Sequence, residues 1–260
     1  MSRRQPTPAS DIQGNDSPLP LELTKQEVDI TIYRAHAWVL EVMVTEEAIM
    51  SKTKCKALIL TAISKAIQSL AGRSNASYPS RVRKATMSTI NVVLHQWKQY
   101  ADPHLFLTLG LRPRFRGQAE VDRIISEDDR KESCAERAKF LLEDMNFLKD
   151  AQDPGTFHFS AKFFHDLVAD HLFVHPPRLG EFVNHTAPQH MLDNLFALGA
   201  AAIAASVREW VEGDRVARTI SPEMWRDDYR CAKECVRRMR SDGAKTDFLD
   251  DLQSWMMKQG

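Results

Sequence analysis

Residues 191–210 are MLDNLFALGAAAIAASVREW, and a helix drawn through them has almost no face suited to water. Leu195, Gly199 and Ile203 fall on one broad arc, while four alanines occupy much of the opposite side. A helix that is apolar all round lies inside a larger protein, and its small side chains let a second backbone come close. The segment therefore predicts a buried central helix, but it does not identify an activity.

The composition predicts a globular protein without a global charge. The chain has 260 residues, 43% of them hydrophobic, with 35 basic and 35 acidic side chains. This balance provides no overall field to attract nucleic acid or an anionic membrane. The first residues, MSRRQPTPAS, lack the apolar core of a secretory signal, and the longest apolar run is shorter than the roughly 20 residues of a membrane span. We expect an intracellular protein, cytoplasmic or nuclear, with no membrane contact.

On both sides of the central helix the chain contains further segments in which apolar residues recur at steps of three and four. Residues that cap or break helices lie between these segments. Thr24 to Glu27 has capping-box spacing at the first start, and Asp102-Pro103 is expected to end the third helix. No segment shows the sustained alternation of apolar and polar residues that would indicate a strand. The pattern predicts helices over about 24–44, 51–71, 82–100, 126–148, 161–173, 191–210, 222–239 and 247–258.

These segments predict an all-α fold, an irregular bundle of about seven to eight helices around the central Ala-rich helix. Residues 1–23 contain four prolines and show no periodic spacing of apolar residues, which is typical of a disordered leader. Residues 24–240 are expected to form one domain, with a possible subdivision near 112–126. Residues 241–260 are interpreted as a hinge and a short amphipathic helix.

A series of motifs runs from Ala138 to Tyr229: FLLEDMNFL, a Phe-rich helix ending in Asp170-His171-Leu172-Phe173, a turn at Gly180, the Ala-rich helix, and a later aromatic pair, Trp225 and Tyr229. In order and spacing these motifs resemble an uncharacterised helical domain of basidiomycete, mushroom-forming fungi. The resemblance implies an all-helical domain of unknown function and brings no catalytic residue or cofactor.

Six of the nine histidines lie between residues 158 and 190, which raises the possibility of a metal-dependent hydrolase with a His/Asp site. On a helix, however, His165, Asp166, Asp170 and His171 spread around the axis, with the aspartates directed away from the core and His171 into it. We therefore predict core and loop histidines, no metal and no cofactor.

Cys231 and Cys235 lie one helical turn apart and would supply only two ligands. No second Cys or His pair has zinc-like spacing, and this spacing within a helix rarely suits a disulfide. We interpret both as buried free thiols that behave as small apolar residues.

Three basic clusters remain, of which the Pro-restrained loop with Arg112, Arg114 and Arg116 around Phe115 best suits nucleic acid. Such side chains could hold phosphates and stack on a base, which defines an alternative hypothesis of a nucleic-acid-associated nuclear protein. Solvated surface charge is the simpler interpretation at a net charge of zero.

The terminal helix carries Phe248, Leu252 and Trp255 on one side, so it either folds back onto the domain or docks on a partner protein. The sequence indicates no set of polar residues that would come together in one catalytic site. A non-enzymatic interaction or scaffold domain is therefore the leading hypothesis. A monomer is favoured over an oligomer, because the other amphipathic helices suffice to cover the central one.

Overall fold

The structure is a computed structural model that describes residues 22–70, 77–111, 127–150, 157–183, 190, 192–217 and 222–259. These residues form α1 (Lys25–Thr45), α2 (Lys52–Gln68), α3 (Ser80–Leu107), α4 (Glu127–Leu142), α5 (Lys162–Phe173), α6 (Asp193–Arg208), α7 (Pro222–Arg240) and α8 (Gly243–Met257). Short 3₁₀ segments occupy Glu143–Leu148 and Leu179–Phe182. The described part of the chain has no strand beyond one isolated bridge between Glu22 and Ser77. The all-α prediction is confirmed.

The Ala-rich helix α6 lies at the centre of the bundle, as predicted. Every residue from Asn194 to Val207 is buried. Helices α1, α3, α4, α5 and α7 all contact α6, and α7 packs on it most extensively. At Gly199 an added Cβ would lie 2.8 Å from the ring of Trp97 and 3.1 Å from that of Phe164. The missing side chain at this position is what lets α3 and α5 bring aromatic rings against α6.

A buried polar link joins α6 to two neighbouring elements. The Asn194 side-chain amide donates to the carbonyl of Val44 at 3.1 Å. The Tyr229 hydroxyl donates to Asn194 Oδ1 at 3.1 Å and accepts the backbone N–H of Ala48 at 3.0 Å. Because each of these buried groups is satisfied, the link fixes the end of α1 against α6 and α7.

The predicted start of the first helix is confirmed in detail. Thr24 Oγ1 accepts the N–H of Glu27 at 3.3 Å, and the Glu27 carboxylate accepts the N–H of Thr24 at 2.8 Å. The expected start at 51 is also correct, because Ser51 caps α2 by accepting the N–H of Lys54. Local hydrogen bonding therefore sets both helix starts.

The predicted end of the third helix at Asp102-Pro103 is wrong, because α3 continues through Pro103 to Leu107. A proline inside a helix removes one backbone hydrogen bond and crowds the preceding turn. The burial of three leucines after Pro103 compensates for this cost, since Leu105, Leu109 and Leu111 are at most 3% exposed. The N–H of Leu111 also bonds to the carbonyl of Leu105.

Two further predicted helix bounds are corrected. The helix predicted over 126–148 ends at Leu142, where the chain enters the 3₁₀ segment through non-helical residues. The terminal helix begins at Gly243 rather than at 247. Apolar spacing carried across the first of these ends, so periodicity alone could not locate it.

Helix α8 packs against α7 and belongs to the same core as the rest of the bundle. Leu249 and Met256 are fully buried and Leu252 is 6% exposed. Among the residues that the structure describes, no helix combines the length and the apolarity that crossing a membrane requires. Of the expected leader, residues 1–23, only Glu22 and Leu23 are described, and Leu23 packs against the core. The rest of the leader and the expected subdivision near 112–126 lie outside the described residues.

Candidate functional site

A small pocket lies between the end of α4, α6 and α7, with a volume of about 210 Å³. Its lining combines apolar side chains with two arginines, two aspartates and two cysteines. The lining residues are Leu142, Asp144, Met145, Phe147, Ala204, Arg208, Asp228, Cys231, Cys235 and Arg238.

A turn in the left-handed region of the backbone forms one wall of the pocket. Asp144 has φ 44° and ψ 30°, and Met145 has φ 52° and ψ 43°. For residues other than glycine this conformation costs on the order of 1 to 3 kcal/mol each. The turn is held by the buried Phe147 and Leu148, and by the N–H of Ala161, which bonds to the carbonyl of Leu148 at 3.2 Å. Such strain is often found where a functional side chain must be placed.

The turn brings Asp144 to His158 and to α7. His158 Nε2 lies 2.8 Å from the Asp144 carbonyl oxygen and 3.4 Å from Asp144 Oδ2. Arg238 Nη2 lies 3.3 Å from Asp144 Oδ1 and 3.1 Å from Cys235 Sγ. One ligand-type atom from each of Asp144, His158 and Cys235 lies within 4.8 Å of the others.

The surroundings set the protonation of these three groups. Burial raises the pKa of Asp144, but the charge of His158 when it is protonated, the hydrogen bond and charge of Arg238, and the charge of Lys149 together outweigh it and leave that pKa below its usual value. Burial lowers the pKa of His158 despite its hydrogen bond to the Asp144 carbonyl. Burial also raises the pKa of the Cys235 thiol, an effect that Arg238 only partly opposes. At neutral pH the cluster therefore holds a carboxylate, a neutral imidazole and a protonated thiol.

Arg208 and Asp228 form a second charged pair at the other side of the pocket. Asp228 is 4% exposed, and its two oxygens accept from Arg208 Nε at 3.2 Å and from Nη2 at 2.5 Å. Two parallel bonds of this kind fix the orientation of both side chains. The pair joins the end of α6 to α7 and keeps one wall of the pocket polar.

The predicted burial of the two α7 cysteines is right for Cys235 and wrong for Cys231, which is exposed. Residue spacing does not indicate that Cys235 lies close to Asp144 and His158. The three positions are remote in sequence, and Asp144 sits where uninterrupted apolar spacing predicted a continuing helix. Aspartate tolerates the left-handed region better than most residues, but that preference is too weak to locate a kink.

The histidine and aspartate positions singled out within 158–190 do not meet at one point. Asp166 is bound by Lys162 at 2.8 Å, His165 Nε2 bonds to the Phe159 carbonyl, Asp170 is exposed and His171 is buried. His190 lies 3.9 Å from Asp193, while His185 is outside the described residues. The divergence expected for the helix 161–173 is therefore present.

The basic loop with Arg112, Arg114 and Arg116 also lies outside the described residues. The terminal-helix residues are described. Leu252 is 6% exposed, and Phe248 packs against the core with its ring 5.9 Å from that of Phe157. Trp255 is 43% exposed and lies 6.1 Å from the His165 ring. Helix α8 is thus folded back, and Trp255 is the member of the predicted docking set that faces solvent.

His171 lies at the buried end of an aromatic stack between α5 and α3. Its ring is stacked on Trp97 at 4.3 Å, and Tyr100 meets it edge-on at 5.0 Å while stacking on His175 at 3.7 Å. His171 is 2% exposed, and its Nε2 has no hydrogen-bond partner among the described residues. Burial, with a smaller effect of His175, lowers the pKa of His171 to about 3.

We expect His171→Phe to make stability less sensitive to acid, because phenylalanine keeps the stack but cannot bind a proton. Unfolded His171 takes up a proton near its ordinary pKa of about 6.5, whereas the folded side chain stays neutral. The unfolded state therefore binds more protons, and the wild-type protein loses up to about 1.4 kcal/mol per pH unit as pH falls below that value. Urea unfolding between about pH 5 and pH 7 measures this slope. Parallel slopes for wild type and variant would contradict the expectation.

Comparisons of the chain with curated proteins and with solved structures gave no match. A family model matches residues 34–239, which run from within α1 to within α7 and include the whole pocket. The resemblance to an uncharacterised domain, expected from residues 138–229, is confirmed over this longer range, whereas the match does not bear on the expected fungal origin. Helix α8 follows the matched region. The chain belongs to the family described as Domain of unknown function (DUF6532).

Proposed function

We propose that this protein is a non-enzymatic helical interaction domain whose α8 surface binds a basic, amphipathic segment of a partner protein. Residues 24–240 form the domain and residues 241–260 present the contact helix of a monomeric chain. The observation that carries the proposal is the exposure of Trp255 on a helix that is otherwise docked. Buried aromatic anchors dominate protein interfaces, and an exposed tryptophan on a fixed helix offers one.

The surface around Trp255 has a definite charge. Asp247 and Asp251 are exposed and lie two turns and one turn before Trp255, on the same side of α8. Neither carboxylate has an ion-pair partner among the described residues. Two lysines border the surface: Lys258 lies one turn after Trp255, and Lys245 Nζ lies 5.7 Å from the centre of the Phe157 ring. Phe157, which is 37% exposed, adds an apolar edge beside Phe248. We call Asp247, Asp251, Trp255 and Phe157 the acidic-aromatic face.

The acidic-aromatic face suits a partner that places an apolar side chain on Trp255 and basic side chains on the two aspartates. Electrostatic complementarity of this kind selects the partner and speeds its association. The underlying helix is held rigidly, since Arg240 joins Asp193 at 2.8 Å and Asp250 at 2.5 Å, and Gln253 donates to Asp193 at 2.8 Å. A preorganised surface loses little entropy when it binds.

The test uses two labelled helical peptides with the same apolar residues, one carrying lysines and the other glutamates at the charged positions. We expect the lysine peptide alone to bind, and Trp255→Ala to weaken that binding at least about tenfold, as for an interface anchor. Asp247→Lys combined with Asp251→Lys should abolish it. Fluorescence anisotropy of the peptides measures all affinities.

Asp227→Lys is the matched control, because Asp227 is an exposed aspartate on α7 and should not affect peptide binding. Equal binding of the two peptides would contradict the proposal. Full affinity after the double charge reversal on α8 would contradict it as well.

The alternative of a nucleic-acid-associated nuclear protein stays a prediction that depends on Arg112, Arg114 and Arg116. Reversing those three charges and measuring oligonucleotide binding across a range of salt tests it, since phosphate contacts weaken steeply with salt. The metal-dependent hydrolase with a His/Asp site, the fungal origin and the intracellular location also stay predictions.

A further inference from the structure

We propose that Asp144, His158 and Cys235 bind a divalent transition-metal ion, with zinc as the best fit, at the edge of the pocket between α4, α6 and α7. This inference is independent of the acidic-aromatic face, because none of the three residues belongs to α8. The ligands come from three separate elements: the turn after α4, the segment before α5, and α7. Such a site ties these elements together and is assembled only by the folded chain.

The donor set selects the class of metal. A thiolate, an imidazole nitrogen and a carboxylate oxygen together suit zinc and its cobalt substitute, whereas magnesium and calcium prefer oxygen ligands alone. Cys235 binds as the thiolate and releases its proton to solvent. The His158 nitrogen that binds the ion must be unprotonated, so binding through Nε2 moves the ring proton to Nδ1 and replaces the hydrogen bond to the Asp144 carbonyl. The Asp144 carboxylate and the thiolate balance the charge of the divalent ion.

The distances allow the site to close with small movements. The three candidate ligand atoms already lie within 4.8 Å of one another. Zinc bonds of roughly 2.0 to 2.3 Å place ligand atoms of a tetrahedral site about 3.3 to 3.8 Å apart. The ligands must therefore approach by about 1 to 1.5 Å at most, which side-chain rotations at His158 and Asp144 can provide.

The guanidinium of Arg238 already places a positive charge at this position. This guanidinium contacts Cys235 Sγ at 3.1 Å and Asp144 Oδ1 at 3.3 Å, so it bridges two of the three ligands. The Arg238 side chain is 54% exposed and can move into solvent when a metal ion replaces it. Metal binding is thus an exchange of one cation for another at the same two acceptors.

The fourth coordination position opens on the pocket, since Asp144 and Cys235 both line it. A site with three protein ligands and an open position holds water or a small ligand there. Cys231 lines the pocket too, but it lies outside the three-residue cluster and is not assigned as a ligand.

The experiment titrates the full-length, metal-free protein with Co²⁺ and then with Zn²⁺. We expect one equivalent of cobalt to give a thiolate-to-cobalt charge-transfer band and the visible bands of a tetrahedral ion, both lost when zinc is added. Cys235→Ser should abolish the charge-transfer band, and Asp144→Asn and His158→Gln should each weaken cobalt binding at least about tenfold. Circular dichroism confirms that each variant is folded.

Two further variants distinguish a specific site from loose binding to a cysteine. Cys231→Ser should leave the cobalt spectrum unchanged, because that thiol is not a ligand. Arg238→Met should tighten cobalt binding by about tenfold, because it removes the competing positive charge. Failure of the wild-type protein to bind cobalt would overturn the proposal, as would an unchanged spectrum in Cys235→Ser or loss of the spectrum in Cys231→Ser.

Discussion

Replacing Gly213 with alanine is expected to lower the free energy of unfolding by about 2 to 5 kcal/mol. Gly213 has a φ of 89°, a conformation that costs a residue with a side chain about 1 to 2 kcal/mol. An added Cβ would also lie 2.3 Å from the carbonyl oxygen of Lys131 and 2.8 Å from its Cα. Because those atoms belong to the backbone of α4, relief requires moving a helix, which adds about 1 to 3 kcal/mol.

The surroundings of Gly213 prevent an easy adjustment. Asp214 binds Arg130 at 2.5 Å and Lys131 at 3.1 Å, which fastens the loop after α6 to the start of α4. On the other side Arg215 contacts the buried Glu209 at 3.0 Å and Asp102 at 2.5 Å. The two residues that directly follow Gly213 are therefore fixed, Asp214 to α4 and Arg215 to Asp102 of α3 and to Glu209 at the end of α6.

Gly110→Ala is the matched control for this prediction. Gly110 also has a positive φ, 73°, but an added Cβ would meet no atom of the described residues within 4 Å. Gly110→Ala should therefore lower the free energy of unfolding by only the backbone contribution, about 1 to 2 kcal/mol. Urea unfolding of both variants measures the difference, and equal losses would show that the contact between the loop and α4 does not limit packing.

The sequence was sufficient to predict the elements that depend on local signals. The central position of α6 follows from an apolar composition on every side, and the start of α1 follows from a capping box that needs only Thr24 and Glu27. Both signals lie within a few turns of one helix, so no knowledge of the rest of the fold was needed.

Long-range packing explains what the sequence did not reveal. Pro103 is a strong local breaker, yet α3 continues because leucines beyond it are buried elsewhere in the bundle. The cluster of Asp144, His158 and Cys235 depends on a kink that apolar periodicity conceals and on the packing of α7. Residue spacing indicates neither the continuation of α3 nor this cluster, because both result from contacts between elements that are distant in the chain.

Replacing Arg208 with methionine is expected to cost about 3 kcal/mol, because it leaves the carboxylate of Asp228 buried without its cation. Removing one member of a buried ion pair typically costs about 3 to 5 kcal/mol. The lower end applies here, since the Arg208 side chain is 38% exposed while that of Asp228 is 5% exposed. Methionine preserves most of the apolar length of arginine, so the loss measures the charge interaction rather than a cavity.

Two further variants separate the ion pair from other effects of the change. Arg230→Met removes an arginine on α7 whose partner, Asp227, is 71% exposed, and it should cost no more than about 0.5 kcal/mol. Combining Arg208→Met with Asp228→Leu should recover much of the loss, because an apolar pair of similar volume avoids the buried charge. Urea unfolding at neutral pH gives all three values. If Arg208→Met and Arg230→Met cost the same, the bidentate pair at the pocket does not hold α6 to α7, and the packing of their apolar faces alone accounts for that contact.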